Sequence, residues 1–352
     1  MSAEREILRT SHFTVGLPSE VTVPGLFVTR PLSQAETFAD LSDAEVRAFA
    51  HTERHLRIGL KIINVALAGL YIEEHPGASV MGLTIPFHID RLEERFDVGA
   101  YQPHIEAYLS SYDKMDTSKQ EAMADAVGQY LANNSHSSEI VLPREHHARI
   151  EQEREAPRLY KVLDVNDESE IPRAPEGLKY YVCLGGSRNF QAFLTEDGLS
   201  KGEFLDSFEG VLDEALQPVY EDDTLVVRQD AKYAIPGFYI VSPKEHFRSI
   251  DEMPQEIFDH SLLTMRRIKQ NLGMLGIMNS HIYHDEKYRS PASAHFWALP
   301  LHKHPAGLQL NQTIYSRDIW TYLDTYPRFS ETGDTIAQYN RDMRQRLKDT
   351  SA

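Results

Sequence analysis

Cysteine is nearly absent: Cys183 is the single thiol in 352 residues. That excludes an internal disulfide and any multi-cysteine zinc site. Long apolar runs are missing as well. A membrane span needs about 20 consecutive apolar residues, and the nearest stretch, Ile58 to Ile72, is broken by Lys61 and Asn64 and reads as a buried helix. Positive charge is in deficit, with 36 Lys and Arg against 53 Asp and Glu and a formal net charge of -17. Wrapping nucleic acid requires a basic surface, so neither nucleic acid nor a membrane is an expected partner. A small phosphorylated ligand held in a locally basic pocket is still allowed. The opening Met-Ser-Ala-Glu-Arg-Glu has no apolar core behind it and does not read as a signal peptide. Together these absences predict a cytoplasmic protein. The remaining composition, 41% hydrophobic and 25% charged, is that of a globular chain long enough for two domains or one duplicated fold.

What is present is an internal repeat. His12-Phe13-Thr14-Val15 leads to Val23-Pro24-Gly25-Leu26-Phe27-Val28, and 212 positions later Thr224-Leu225-Val226-Val227 leads to Ile235-Pro236-Gly237-Phe238-Tyr239-Ile240. Each reads as a strand, a Pro-Gly turn and a second strand. A helix-start signal follows in both, at Asp40 to Glu45 and at Asp251 to Glu256. Leu262, Met265, Ile268, Leu272 and Leu275 then form one apolar helical stripe, and the earlier counterpart reads as helical from about Ala44 to Ala68. Gly69-Leu70-Tyr71 matches His281-Ile282-Tyr283. After a two-residue length difference, Ser79 to His88 lies against Ser293 to His302. Further on, Tyr101, Ile105, Tyr108, Leu109 and Tyr112 match Tyr315, Ile319, Tyr322, Leu323 and Tyr326.

The segment between the copies matches neither. Lys119 to Leu131 reads as a helix, His146 to Arg154 as a charged solvated helix, and Asp164 to Pro175 as an acidic loop. Tyr180 to Leu184 reads as a strand running into Gly185-Gly186-Ser187-Arg188-Asn189, an ordinary hairpin turn or a cradle of backbone amides for phosphate.

Ser293 to Pro300 alternates like a strand, placing Ser293, His295, Trp297 and Leu299 on one face. Asp230 to His246, with Pro236-Gly237 and Pro243-Lys244 inside it, fits without a gap the pattern D-x-x-P-x-x-P-G-H-x-L-V-I-P-K-x-H. Ser293-x-His295-x-Trp297-x-x-Pro300 sits where H-x-H-x-H-x-x-P would follow. These stretches resemble the histidine-triad superfamily, in its tandem branch containing galactose-1-phosphate uridylyltransferase and diadenosine-tetraphosphate phosphorylase, where the third histidine is glutamine. The resemblance implies an α+β fold of two modules, each an antiparallel sheet plus helices, forming a pseudo-duplicated unit. Its parts are residues 1–113 (a degenerate module), 114–219 (an inter-repeat segment) and 220–352 (the module with the nucleophile).

It also implies an enzyme acting on a nucleotide or nucleotide-sugar-like phosphoester. His295 matches the histidine that attacks an α-phosphorus and forms a nucleotidyl-histidine. Imidazole suits that chemistry because it offers a neutral nitrogen nucleophile near neutral pH. Asp230 matches the acid that holds ribose hydroxyls. Ser293 replaces the first histidine and keeps a hydroxyl for a phosphate oxygen. Trp297 replaces the third; its indole N–H donates one bond but cannot protonate a leaving group. Lys287, Arg289 and Ser290 lie where the family binds phosphate, and suit a pentavalent phosphoryl transition state. Met81 stands at the nucleophile's position in the first copy and cannot attack phosphorus.

Two other readings stay open. His281, His284, His302 and His304, with Asp285 and Glu286 nearby, offer a divalent-metal site, although the implied chemistry requires no cofactor. Loss of two triad histidines also fits a catalytically silent nucleotide-binding protein. His146-His147, and His51 with His55, read as charged helix faces; Lys244 and His246 read as fixing a strand end or touching substrate. The expected partner is a small nucleotide or phosphorylated metabolite, and a homodimer is compatible.

Overall fold

A computed structural model describes residues 5–18, 23–74, 78–88, 117–134, 160–165, 179–184, 192–195, 198–199, 217–230, 233, 235–245, 247–286, 294–302, 323 and 329–349. The apolar alternation of the repeat folds into strands β1 (Arg5–Arg9), β2 (Phe13–Leu17), β3 (Phe27–Pro31), β4 (Leu67–Glu73) and β5 (Met81–Phe87) in the first half. After a separate four-stranded sheet of β6 (Tyr160–Val165), β7 (Lys179–Leu184), β8 (Ala192–Thr195) and β9 (Gly198–Leu199), the second half supplies five more. These are β10 (Tyr220–Glu221), β11 (Leu225–Gln229), β12 (Tyr239–Pro243), β13 (Ser280–Asp285) and β14 (Phe296–Pro300). Four α-helices, α1 (Asp43–Ile62), α2 (Thr117–Asn134), α3 (Gln255–Met274) and α4 (Phe329–Asp349), and a short 3-10 turn at Phe38–Asp40 complete the described elements.

The two halves share one ten-stranded antiparallel sheet in the order β1-β2-β3-β5-β4-β13-β14-β12-β11-β10. Read inward from either edge, the order is first, second, third, fifth and fourth strand of that half. The halves join where β4 meets β13, with Tyr71 opposite Tyr283. Their rings stack at 6.1 Å.

Helices α1 and α3 lie side by side over one face. Beneath them Phe49, Leu70, Ile72, Val227, Val241, Phe258, Met265, Phe296 and Ala298 are buried in one cluster. The opposite face buries Val28, Tyr71, Leu83, Ile85, Tyr283, Trp297 and Leu299. Each large side chain so buried contributes roughly 1.5–3 kcal/mol. The stripe Leu262, Met265, Ile268 and Leu272 is fully buried, as its spacing requires.

The first helix stops at Ile62 and does not continue to Ala68. Asn64 adopts φ 66°, Asn64 N–H donates to Lys61 O at 3.0 Å and Val65 N–H to Leu60 O at 2.9 Å. This is a Schellman closure, which consumes the last carbonyls and turns the chain into β4. Helix α3 closes identically, with Gly276 at φ 88° in the position of Asn64. The sequence pattern concealed the first stop because Val65, Leu67 and Ala68 continue the apolar spacing.

Contacts between the halves recur at the same offset of 212. Arg57 makes a bidentate pair with Glu286 at 2.6 Å, and Lys269, 212 residues after Arg57, pairs with Glu74 at 2.7 Å. Arg54 Nε donates to Met253 O at 2.9 Å, and Arg266 Nη1 to Leu41 O at 2.6 Å. Arg47 faces its own counterpart, Asp259, at 3.3 Å. Among the described residues no helix is long and apolar enough to cross a membrane.

Candidate active site

His295 does not lie within a strand. It immediately precedes β14, whose first residue is Phe296. In the first half, β4 and β5 pair over seven positions, from Leu67↔Phe87 to Glu73↔Met81. In the second half β13 and β14 pair over four, from Ser280↔Pro300 to Tyr283↔Trp297. There they part: His284 and Asp285 stay with Leu70 and Gly69 of β4, while Phe296 keeps its partner Val241 on β12. His295 stands at the mouth of this fork, partly exposed.

The backbone around it is anchored on both sides. Ala294 N–H donates to Phe247 O at 2.6 Å. The His295 carbonyl lies 2.9 Å from His284 Nδ1; a carbonyl only accepts, so Nδ1 carries the proton. Ala294 and Phe296 bury under the helices, so alternation turns the His295 side chain to the opposite face. There its ring meets Trp297 edge-on, 4.2 Å between centroids. Trp297 stacks on Tyr283 at 4.8 Å, which stacks on Tyr71. An aromatic row thus crosses three strands away from the imidazole.

Asp230 follows β11. Its N–H donates to Phe238 O at 2.6 Å, and its Oδ1 accepts the Tyr233 N–H at 2.8 Å, bracing the loop that leads to Pro236-Gly237. By register it sits two strands across and about four residues along from His295, on the order of 15 Å away. Lys244 immediately follows β12 and pairs with Glu221 at 2.9 Å, which suits the strand-fixing reading. Lys287, Arg289, Ser290, Ser293, His246 and His304 lie outside the described residues, as does Gly185 to Asn189.

Among the described residues, the histidines considered for a metal, His281, His284 and His302, form no group with other ligand side chains that could hold one. His281 and His284 are three residues apart on β13 and therefore leave it on opposite faces, the latter 5.2 Å from Phe296 on the helix side. His302 Nε2 donates to Pro236 O at 2.6 Å and clamps the Pro-Gly turn. Burial lowers its pKa despite that bond. His88 does the same to Pro24 O at 2.8 Å. His88 and His302 already lie opposite each other when Ser79 to His88 is set against Ser293 to His302, a signal that could have marked both as structural. Among the described residues no group of three or more His, Cys, Asp or Glu side chains is placed to hold a metal ion. His55, read as part of a charged face, is buried, 3.3 Å from the Tyr130 hydroxyl.

One unusual group escaped the sequence reading. Glu53 is fully buried between α1 and the sheet, where Thr84 Oγ1 donates to it at 2.5 Å. Desolvation outweighs the help from Thr29 and Thr84 and pushes its pKa up to about 7.

No family model matches the chain, and no curated protein matches it. Solved structures with similar chain traces include a uridylyltransferase, at 9% identity and a TM-score of 0.46, covering 97% of this chain and 86% of the other. An ADP-glucose phosphorylase from Arabidopsis thaliana with bound ADP-glucose aligns at 8% identity and 0.43, over 96% and 86%. A zinc-bound histidine triad family protein from Mycobacterium smegmatis aligns at 16% identity and 0.27, over 39% and 88%. Values this low leave the activity to be argued from the chain's own residues.

Proposed function

We propose that the chain is an enzyme of the histidine-triad kind, built from two diverged modules at residues 1–113 and 220–352, which transfers a nucleotidyl group through His295. The mirrored strand order and the contacts repeated at offset 212 support the two-module reading. The catalytic reading is carried by one observation: His295 stands at the open fork of β13 and β14, partly exposed, with its backbone anchored on both flanks.

In the first step a neutral imidazole nitrogen attacks the α-phosphorus of a nucleotide phosphoester. A nitrogen–phosphorus bond forms, the bond to the leaving oxygen breaks, and the leaving group keeps the electron pair. In the second step an acceptor oxygen attacks phosphorus, loses its proton to solvent, and returns the nitrogen's electron pair to the ring. Trp297 cannot hand a proton to the leaving oxygen. The reading therefore favours leaving groups and acceptors that are themselves phosphates, which depart without protonation, over hydrolysis of a more basic alkoxide. Lys287, Arg289, Ser290 and Ser293 are assigned to the phosphates, and Asp230 to the ribose, from their places in the motif. No step calls for a resident metal.

Incubation with α-³²P-labelled UDP-glucose, ADP-glucose and ATP tests this. Acid-labile, base-stable label on the protein, absent from His295→Ala and unchanged by EDTA, is the expected result. Loss of label with EDTA would favour the metal-dependent alternative. Nucleotide binding with no label at all would favour a silent binder.

A further inference from the structure

We infer that His284 is a positioning residue for His295, a role that rests on reading His295 as the nucleophile. The fork supplies the reason. Where antiparallel strands stay paired, hydrogen-bonded residue pairs alternate along the ladder and hold both backbones in register. The first half keeps such pairing at the corresponding place: Ile72 stands opposite Gly82 and Glu73 opposite Met81. In the second half the corresponding pair, His284 and Phe296, is not formed. A nucleophile at the edge of a parted ladder would have a loosely held backbone. The imidazole of His284 spans the gap instead, its Nδ1–H donating to the His295 carbonyl at 2.9 Å.

The donor is itself firmly placed. His284 is only 2% exposed, its ring lies against Phe296 at 5.2 Å, and its backbone is paired with Leu70 on β4. The first half carries Ile72, an aliphatic residue, in the place of His284, and Met81 in the place of His295. Positioner and nucleophile are thus present together in one half and absent together from the other. Opening the fork lifts the His295 side chain clear of one strand, and the His284 bond keeps that opening from costing orientation.

The test uses two substitutions in the full chain. His284→Phe keeps a ring and removes the donor. His284→Asn keeps a nitrogen donor the same number of bonds from Cβ. With α-³²P-labelled UDP-glucose, ADP-glucose and ATP as probes, the label rate falls on the order of 10²-fold in the Phe variant. Nucleotide affinity and thermal midpoint stay near wild type, and the Asn variant recovers most of the rate. Equal rates in the Phe variant and wild type, or no recovery by Asn, overturn the assignment. Crystal structures of both variants provide a readout independent of turnover: the His295 Cα shifts by more than about 0.5 Å, or loses definition, in the Phe variant only. If wild type takes no label, the nucleophile reading fails on its own. The positioning claim is then judged by the structures, where an unmoved His295 in the Phe variant overturns it.

Discussion

The two halves place different chemistry on matching frames. Under the first half's sheet lie Glu53, Thr29 and Thr84, all buried; at the corresponding positions the second half has Met265, Val241 and Ala298. On the other side of the same strands the first half presents Met81 from a fully paired ladder, and the second presents His295 from a parted one. Between helix and sheet the first half thus buries a carboxyl and two hydroxyls where the second half has three apolar side chains. A nucleophile held at the edge of a fork needs a rigid base.

The largest effect expected from breaking this arrangement lies at the seam. Arg57 is 1% and Glu286 2% exposed, and Glu286 also accepts the Ala68 N–H at 3.1 Å. Burial opposes the charge on Arg57, but the paired carboxylates more than offset it and raise its pKa. Arg57→Ala strands the Glu286 carboxylate and costs about 3–5 kcal/mol in urea unfolding. Lys269→Ala, in the matching pair whose Glu74 is 11% exposed, costs less. The reverse ranking would break the comparison.

Glu53 comes next. Its pKa stands near 7 when folded against an ordinary 4.5, so the native state binds the extra proton. Stability accordingly falls as pH rises from about 4.5 to 7 and is flat above, by up to about 3 kcal/mol. Glu53→Gln, or the triple change Glu53→Met, Thr29→Val and Thr84→Ala that copies the second half, removes the slope. Denaturant titrations at pH 5, 6, 7 and 8 check this; an unchanged slope in the Gln variant would assign it to another group.

Much of the frame was readable in advance. The hairpins at Pro24-Gly25 and Pro236-Gly237 and the stripe of α3 follow from local spacing and turn chemistry, which act over a few residues. The fork did not, because whether β14 stays with β13 depends on packing between strands and leaves no periodicity behind. Arg57 and Glu286 are 229 residues apart, and nothing local couples them. His284 was read as a metal candidate because a histidine beside Asp285 and Glu286 offers ligand chemistry. Only the fold reveals that its proton points at a carbonyl.

Smaller effects sharpen the comparison at the turns. Gly25 and Gly237 adopt φ 84° and 81°, and an added Cβ would meet Leu60 at 3.1 Å and Leu272 at 3.0 Å. Gly237→Ala therefore costs about 1–2 kcal/mol from backbone strain, read as a lowered thermal midpoint. The helix ends give the smallest change. Asn64→Gly, which copies Gly276, stabilises by up to about 1 kcal/mol, and Gly276→Asn does the opposite. A loss on Asn64→Gly would mean that the Asn64 side chain contributes more than its backbone strain removes.

The central claim is that the second half alone carries the nucleophile. Mass-spectrometric mapping of wild-type protein after brief incubation with UDP-glucose, ADP-glucose and ATP, under alkaline quench to preserve phosphoramidates, tests it most directly. The account predicts one nucleoside-monophosphate adduct, on the peptide containing His295. An adduct on His281, His284 or His302, or none with any of the three nucleotides, would contradict it.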